Sequence, residues 1–335
     1  MSERHGIDEN EHNLASRNKV LIIAEVASNH NGELDSALQL IDIAAECGAD
    51  VVKFQSFIAK DIILQSDPLF NRLQKLEMPR EWYPELMERC ALKGVRFLST
   101  ATSFTTLNWM EEFGVWGYKI ASCNISFRPL IDRLVEIGKP IIFSTGLARF
   151  EEIKSLADYL VKKGLSDFAF LHCVSKYPAP FKDLRLKNIL LLRELLPCPI
   201  GYSDHSAGTH MAVAAVALGA RIIEKHISLD KKGIGMDHDV AILPEEFAVL
   251  CQAVRNAESA LTCDVAPDLE SIFAMRRSLH FACELAAGET ISAEAVKITR
   301  PEDGLLPENF EAVLGCTVCQ RVEKDQAITM EILAQ

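Results

Sequence analysis

The sequence predicts a (β/α)8 barrel followed by a small β-rich domain, and three observations carry that reading. The chain has 335 residues, whereas a barrel of this class takes about 250, which leaves room for one appendage. From Val20 onward, short apolar, β-branched runs alternate with segments of helical period, as a parallel sheet wrapped by helices requires. Beyond Arg277 that alternation stops.

The apolar runs are eight in number. Val20–Val26 opens the series, and Leu34–Cys47 follows with apolar residues at 34, 37, 38, 41, 44 and 45, a helical repeat. Val51–Gln55 and Arg96–Ser99 come next, separated by a long excursion that includes Ile58–Trp82. Gly117–Ile120, Pro140–Ser144 and Phe168–His172 continue the pattern. Leu186–Leu196 is again helical in period, Pro199–Ser203 and Ile222–His226 complete the strands, and Pro244–Thr262 reads as the last barrel helix. An open doubly wound sheet is the alternative. It would carry a glycine-rich phosphate turn after its first strand, and Ser28-Asn29-His30-Asn31-Gly32 is not one. The expected organisation is therefore a polar N-terminal tail at 1–18, a barrel at 19–262, a Pro- and Asp-bearing linker at 263–276, and a compact domain at 277–335. Turn signals at Ala287-Gly288 and Asp303-Gly304 mark that last domain as β-rich.

Composition narrows the function. Apolar residues make up 49% and charged residues 24%, an ordinary globular balance with ample material for a core. A formal net charge of −12 speaks against nucleic acid or an anionic membrane as partner, since both need a basic surface that displaces counterions. No apolar run reaches the ~18 residues of a membrane span. The ten cysteines are scattered on apolar stretches without a secretory leader, so they read as reduced cytosolic thiols. The one CxxC, Cys316 to Cys319, has no second pair with which to build a zinc site.

In such a barrel the reactive residues collect at the C-terminal ends of the strands. Here those ends are polar throughout: Glu25 with Asn29, His30 and Asn31; Lys53 with Gln55; Ser99 and Thr100; Lys119 with Ser122; Ser144 and Thr145; His172 before Ser175 and Tyr177; Ser203, Asp204 and His205; Glu224, Lys225 and His226, followed by Asp237 and His238. Two lysines and several hydroxyls at one mouth make an anion pocket, because ammonium charge and oriented donors replace the water that a carboxylate or phosphate loses. His205 and His226 close neighbouring strands, so their imidazoles can converge on one divalent cation with positions left open for a substrate oxygen. Such a cation would act as a Lewis acid on an aldehyde.

Read together, the segments Ile23–Gly32, Gly48–Gln55, Tyr118–Ser122, Ser144–Gly146, Leu171–Cys173 with Tyr177-Pro178, Gly201–His205 and Glu224–His226 resemble the N-acetylneuraminate (sialic acid) synthase family, including its pseudaminic, legionaminic and spore-coat polysaccharide branches. The resemblance spans roughly residues 20 to 335, with the tail resembling that family's antifreeze-like (SAF) domain through Arg276-Arg277-Ser278, Arg300-Pro301 and Gly304. It implies condensation of phosphoenolpyruvate with an N-acylated amino-sugar aldehyde and release of phosphate by C–O cleavage. It further implies that Lys53, Thr100, Lys119, Ser122, Ser144, Ser175 and Ser203 hold phosphoenolpyruvate, with Gln55 beside them. His205 and His226 would bind the metal, Mn2+ first and Mg2+ or Co2+ as alternatives. Glu25, Tyr177 and Asp237 would engage the sugar. Arg300 would reach the sugar's N-acyl group from a partner subunit in a domain-swapped homodimer.

Two departures stand out. Ser175 replaces an asparagine common in the family, and Asn124 stands where many members carry Glu or Asp, a candidate base for the attacking water. An amide orients water but cannot take its proton. A non-catalytic sugar- or anion-binding homologue in surface-polysaccharide synthesis is therefore one alternative. A 3-deoxy-aldulosonate-phosphate synthase is another, although it would need a second Arg/Lys cluster for a sugar phosphate. The expected specificity loops are Ile58–Trp82 and Lys231–Ala241, the latter with Gly235-Met236-Asp237.

Overall fold

The computed structural model describes residues 13, 14, 17, 19–262 and 272–334. Most of the expected linker and most of the expected N-terminal tail lie outside the described residues. The chain divides into two compact units, Met1–Thr262 and Cys263–Gln335.

The first unit is a closed barrel of eight parallel strands in sequential order, with the eighth paired to the first. Its strands are β1 (Leu21–Ala27), β2 (Val51–Ser56), β3 (Arg96–Ala101), β4 (Tyr118–Ile120), β5 (Ile141–Ser144), β6 (Phe168–Cys173), β7 (Ile200–Asp204) and β8 (Ile222–His226). The surrounding helices are α1 (Leu34–Glu46), the short α2 (Ala59–Ile62) and α3 (Phe70–Gln74), α4 (Tyr83–Lys93), α5 (Phe104–Phe113), α6 (Arg128–Ile137), α7 (Phe150–Lys162), α8 (Lys187–Leu195), α9 (His210–Ala217) and α10 (Pro244–Thr262).

Strand alternation sorts the side chains into two cores. Outward-facing Ile22, Ala24, Val52, Phe97, Phe143, Phe170, Tyr202 and Ile223 pack against the helices. Inward-facing Leu21, Ile23, Val51, Leu98, Ile142, Ala169, Leu171 and Ile222 fill the lower barrel as a separate cluster. Leu14, expected in a loose tail, joins that inner cluster at 4% exposure. Its N–H donates to Asp167 Oδ1 at 2.9 Å. The apolar side chain finds the unfilled end of the barrel, and the hydrogen bond fixes it there.

Continuing the same alternation toward the strand C-termini replaces apolar residues by Glu25, Lys53, Thr100, Lys119, Ser144, Ser203 and Glu224, all buried. Between Glu25 and Ala27 the β1–β2 register shifts, and Ala27 and Asn31 take positive φ values of 50° and 56°. The chain thus turns sharply out of β1 into the Ser28–Gly32 segment. Among the described residues no helix is long and apolar enough to cross a membrane.

The second unit holds the antiparallel pairs β9 (Ser278–Phe281) with β10 (Val296–Thr299) and β11 (Thr317–Val318) with β12 (Leu333–Ala334), and a single-turn helix, α11 (Phe310–Val313). It has its own core of Leu279, Phe281, Ile291, Val313, Val318, Val322 and Ile328. Cys316 and Cys319 are both free thiols.

Candidate active site

The strand ends enclose a cavity of about 230 Å³. Of the expected site residues, Glu25, Lys53, Gln55, Thr100, Lys119, Ser122, Ser144, Ser175, Tyr177, Ser203, His205 and His226 line it, together with Cys173 and Glu224. Alternation from the apolar layers beneath explains which residues enter: positions 21, 23 and 25 share one face of β1, and 222, 224 and 226 one face of β8.

Glu224, named among the polar strand ends but given no role in the expected site, sits at its centre. Its Oε1 accepts from Ser203 Oγ at 2.8 Å and lies 3.4 Å from Lys119 Nζ, while Oε2 lies 3.6 Å from Lys53 Nζ. Its two-residue spacing from His226 puts both on the inward face of β8. Lys53 also pairs with Glu25 and donates to Thr100 Oγ1 at 3.3 Å. Lys119 donates to Ser144 Oγ at 2.6 Å, and Gln55 Nε2 donates to Glu25 Oε1 at 3.2 Å. Ser122 Oγ accepts from the Gly146 N–H at 2.9 Å.

Within the expected anion pocket of two lysines and several hydroxyls, two carboxylates face the two ammonium groups as a four-residue cluster. The carboxylates differ in character. Burial drives Glu25 upward against the opposing Lys53, with Glu224 adding to the rise, to about 7. Burial alone would raise Glu224 too, but Lys119 and Lys53 outweigh it and hold that carboxyl down at about 2. Burial lowers Lys119, with Glu224 opposing only in part. The same burial pull on Lys53 is overcome by Glu224 and Glu25, so its pKa is raised. Near neutral pH, Glu224 is ionised and Glu25 is poised between its two forms.

The His205 and His226 rings lie 5.4 Å apart, centroid to centroid, with Tyr177 4.2 Å from His205. Burial lowers the pKa of both imidazoles, and the proximity of His205 lowers His226 further. Both are neutral and keep a lone pair. His205 Nδ1 lies 2.9 Å from the Val174 carbonyl oxygen. Donation there fixes the tautomer and leaves Nε2 as the lone-pair nitrogen. His226 Nδ1 is buried without a hydrogen-bond partner, which is costly for a polar atom unless something binds it. Two oriented neutral imidazoles fit a divalent cation. Among the described residues no group of three or more His, Cys, Asp or Glu side chains has metal-binding geometry, so these two residues would hold the ion with the remaining positions left to water or substrate.

Other expected residues fall elsewhere. His172 faces outward, its Nε2 2.6 Å from the Leu184 carbonyl oxygen, and lines a second cavity with Arg149 and Arg185. Asp204 and Lys225 also face outward and pair with each other at 3.0 Å. Asn124 lies one residue past Cys123, and it is Cys123, not Asn124, that reaches the cavity wall. Asp237 lies on the β8–α10 loop, outside the cavity lining, where burial raises its pKa to about 6 against the nearby Lys53. Arg300 belongs to the second unit, exposed at the end of β10.

Comparison with known proteins places these features among relatives. Residues 40–266 match the NeuB family, and residues 276–334 match the SAF domain. The chain is similar to the N,N'-diacetyllegionaminic acid synthase of Campylobacter jejuni, 34% identical over 92% of this chain and 99% of that one. It is also similar to a pseudaminic acid synthase of Campylobacter jejuni, 34% identical over 94% of this chain and 97% of the other. Among solved structures, the N-acetylneuraminic acid (sialic acid) synthetase of Leptospira borgpetersenii, determined with citrate, is 35% identical with a TM-score of 0.72, covering 76% of this chain and 90% of that one.

Proposed function

The chain belongs to the NeuB family, and from that premise we propose that it joins phosphoenolpyruvate to an N-acylated amino-sugar aldehyde, giving a nonulosonic acid and inorganic phosphate. The observation that carries this reading is the buried Lys53–Glu25–Glu224–Lys119 cluster facing two neutral imidazoles in one cavity. Relatives named as legionaminic and pseudaminic acid synthases support the sugar class.

Lys53 and Lys119, with the hydroxyls of Thr100, Ser122, Ser144 and Ser203, would grip the phosphate and carboxylate of phosphoenolpyruvate. Fixed donors cost no reorganisation as charge shifts during the reaction. A divalent cation held by His205 and His226, Mn2+ first, would polarise the aldehyde. C3 of the enol phosphate then forms the new bond to the aldehyde carbon, water adds at C2, and the resulting tetrahedral carbon expels phosphate. Glu25, poised near neutrality, is suited to exchange the protons these steps require. Because Asn124 is not part of the cavity lining, its lack of a carboxyl does not remove the site's acid–base group.

The test is phosphate release with phosphoenolpyruvate, Mn2+ and a panel of N-acetylmannosamine and 2,4-diacetamido-6-deoxy sugars, with mass spectrometry of the product. Turnover of at least one aldehyde is expected, with loss of turnover under chelation. Binding of phosphoenolpyruvate without turnover of any member of the panel would favour the non-catalytic reading.

A further inference from the structure

The β8–α10 loop is closed at its base, where Ser228 N–H donates to Ile242 O at 3.1 Å and Ile242 N–H to His226 O at 2.9 Å. Its tip, 233–236, makes polar contacts with two distant segments, while the Asp237 carbonyl accepts locally from Val240 and Ala241 N–H. Ser28 Oγ accepts from Met236 N–H at 2.9 Å, and Asn31 Oδ1 accepts from Gly235 N–H at 3.0 Å. From α3, Arg72 donates through Nε to Ile234 O at 3.1 Å and through Nη2 to Gly235 O at 3.0 Å. His238 bridges the arrangement, with Nε2 2.9 Å from Asn31 Oδ1 and Nδ1 2.8 Å from Ser228 Oγ. Since Asn31 Oδ1 is an acceptor, Nε2 donates to it, while Nδ1 faces both the Ser228 hydroxyl and, at 3.3 Å, the Asp230 carbonyl oxygen.

The tip is pressed close against the Ser28–Gly32 turn. A Cβ at Gly233, where φ is +152°, would come within 2.4 Å of Asn31 Oδ1 and of His238 Nε2, and one at Gly235 would come within 2.8 Å of His238 Nε2 and Ser28 O. Asp237, the next residue but one, lies in the field of Lys53 and Arg72. An exposed arginine usually spends its donors on water; Arg72 spends two on successive carbonyls of one loop, a planar fork that lysine cannot reproduce.

We infer that Arg72 is a positioning residue for acceptor recognition, holding the 233–236 tip from α3 while Ser28 and Asn31 hold it from the turn after β1, so that Asp237 is presented to the sugar. This rests on the proposed condensation and on Asp237 engaging its acceptor. Among the described residues, those assigned to phosphoenolpyruvate make no hydrogen bond to the 233–236 tip, so the latch acts on one substrate and not on the other.

The experiment compares Arg72→Ala, Arg72→Lys and Asn31→Ala with the full-length wild type, using two readouts. The first is amide hydrogen exchange at Gly235 and Met236, which reports detachment of the tip whether or not any sugar is turned over. Exchange is expected to quicken at least tenfold in all three variants. The second is a steady-state split: the aldehyde KM is expected to rise at least tenfold in each variant while the phosphoenolpyruvate Kd stays within twofold. Unchanged exchange overturns the latch, and faster exchange with an unmoved aldehyde KM overturns its role in acceptor recognition. Wild-type behaviour in Arg72→Lys overturns the forked contact in favour of charge alone. If the wild type turns over no aldehyde, the proposed condensation fails instead, and hydrogen exchange still decides whether Arg72 holds the loop.

Discussion

Glu25 and Glu224 are chemically the same group, buried to the same depth in one cavity, yet one titrates at about 7 and the other at about 2. The difference is arithmetic of neighbours: Glu224 lies between two ammonium groups, whereas Glu25 has Lys53 at close range and Glu224 working against its ionisation. Under the proposed condensation, Glu25→Gln is expected to lower kcat by about 10²- to 10⁴-fold, the range of a positioned acid–base group. Phosphoenolpyruvate binding by calorimetry should hold or tighten, because Lys53 loses a competing carboxylate; an undiminished kcat would remove Glu25 from the chemistry. His30 gives a stability prediction of definite sign. It is buried, its Nδ1 accepts from Gly32 N–H at 3.1 Å, and burial lowers its pKa to about 4. The unfolded chain then binds the extra proton between about pH 6.5 and 4, so this contribution is whole above pH 6.5 and is lost as pH falls through 4. At about 1.4 kcal/mol per unit, the wild type should lose about 3 kcal/mol more between pH 7 and 4 than His30→Asn, measured by urea unfolding with chelator present. Most of the cavity was legible at this scale, since Lys53, Lys119, His205 and His226 announce themselves as polar ends of apolar runs. Glu224 was named with them but given no role, because Glu224-Lys225-His226 reads as three equivalent polar residues until period-two alternation separates the two that enter from the one that leaves. Arg72 was invisible, as nothing local distinguishes an exposed helical arginine that grips a loop more than a hundred residues away.

Between β7 and β8 the outward residues Asp204 and Lys225 sit opposite each other in register, both fully buried. Lys225 Nζ meets Asp204 Oδ2 at 3.0 Å and also donates to Ser206 O, while Asp204 Oδ1 accepts from Ser206 N–H at 2.9 Å, Ser206 Oγ at 2.6 Å and Tyr202 OH at 3.2 Å. The next residue on each chain is a histidine of the cavity. Removing one partner strands a buried charge, so Lys225→Met is expected to cost about 3–5 kcal/mol. Adding Asp204→Asn should recover at least half of that, because the amide still accepts from Ser206 without a charge to solvate; denaturant unfolding of the single and double variants decides it. A double variant no more stable than the single would show that packing, not ionic pairing, governs this strand pair. Element boundaries followed closely from apolar period: the expected Ile222–His226 and Pro244–Thr262 coincide with β8 and α10. The excursion between β2 and α4 was read only as a loop, because α2 and α3 are of four and five residues, too short to establish a helical period.

Across the molecule, the barrel and its β-rich companion were readable because eight apolar runs in series admit few topologies, and because the alternation ends where the second unit begins. Leu14 was misjudged: a single leucine among polar residues carries no periodic signal, although the barrel's interior has a place for it. Leu14→Ala is expected to cost about 2–5 kcal/mol, seen as a fall of several degrees in Tm by calorimetry. A variant as stable as the parent would mean that the inner cluster closes without it. With Leu14 seated beneath Leu21, Ile23, Val51, Leu98, Ile142, Ala169, Leu171 and Ile222, the barrel is a vessel with a floor. Whatever enters through the polar rim must depart through the same rim.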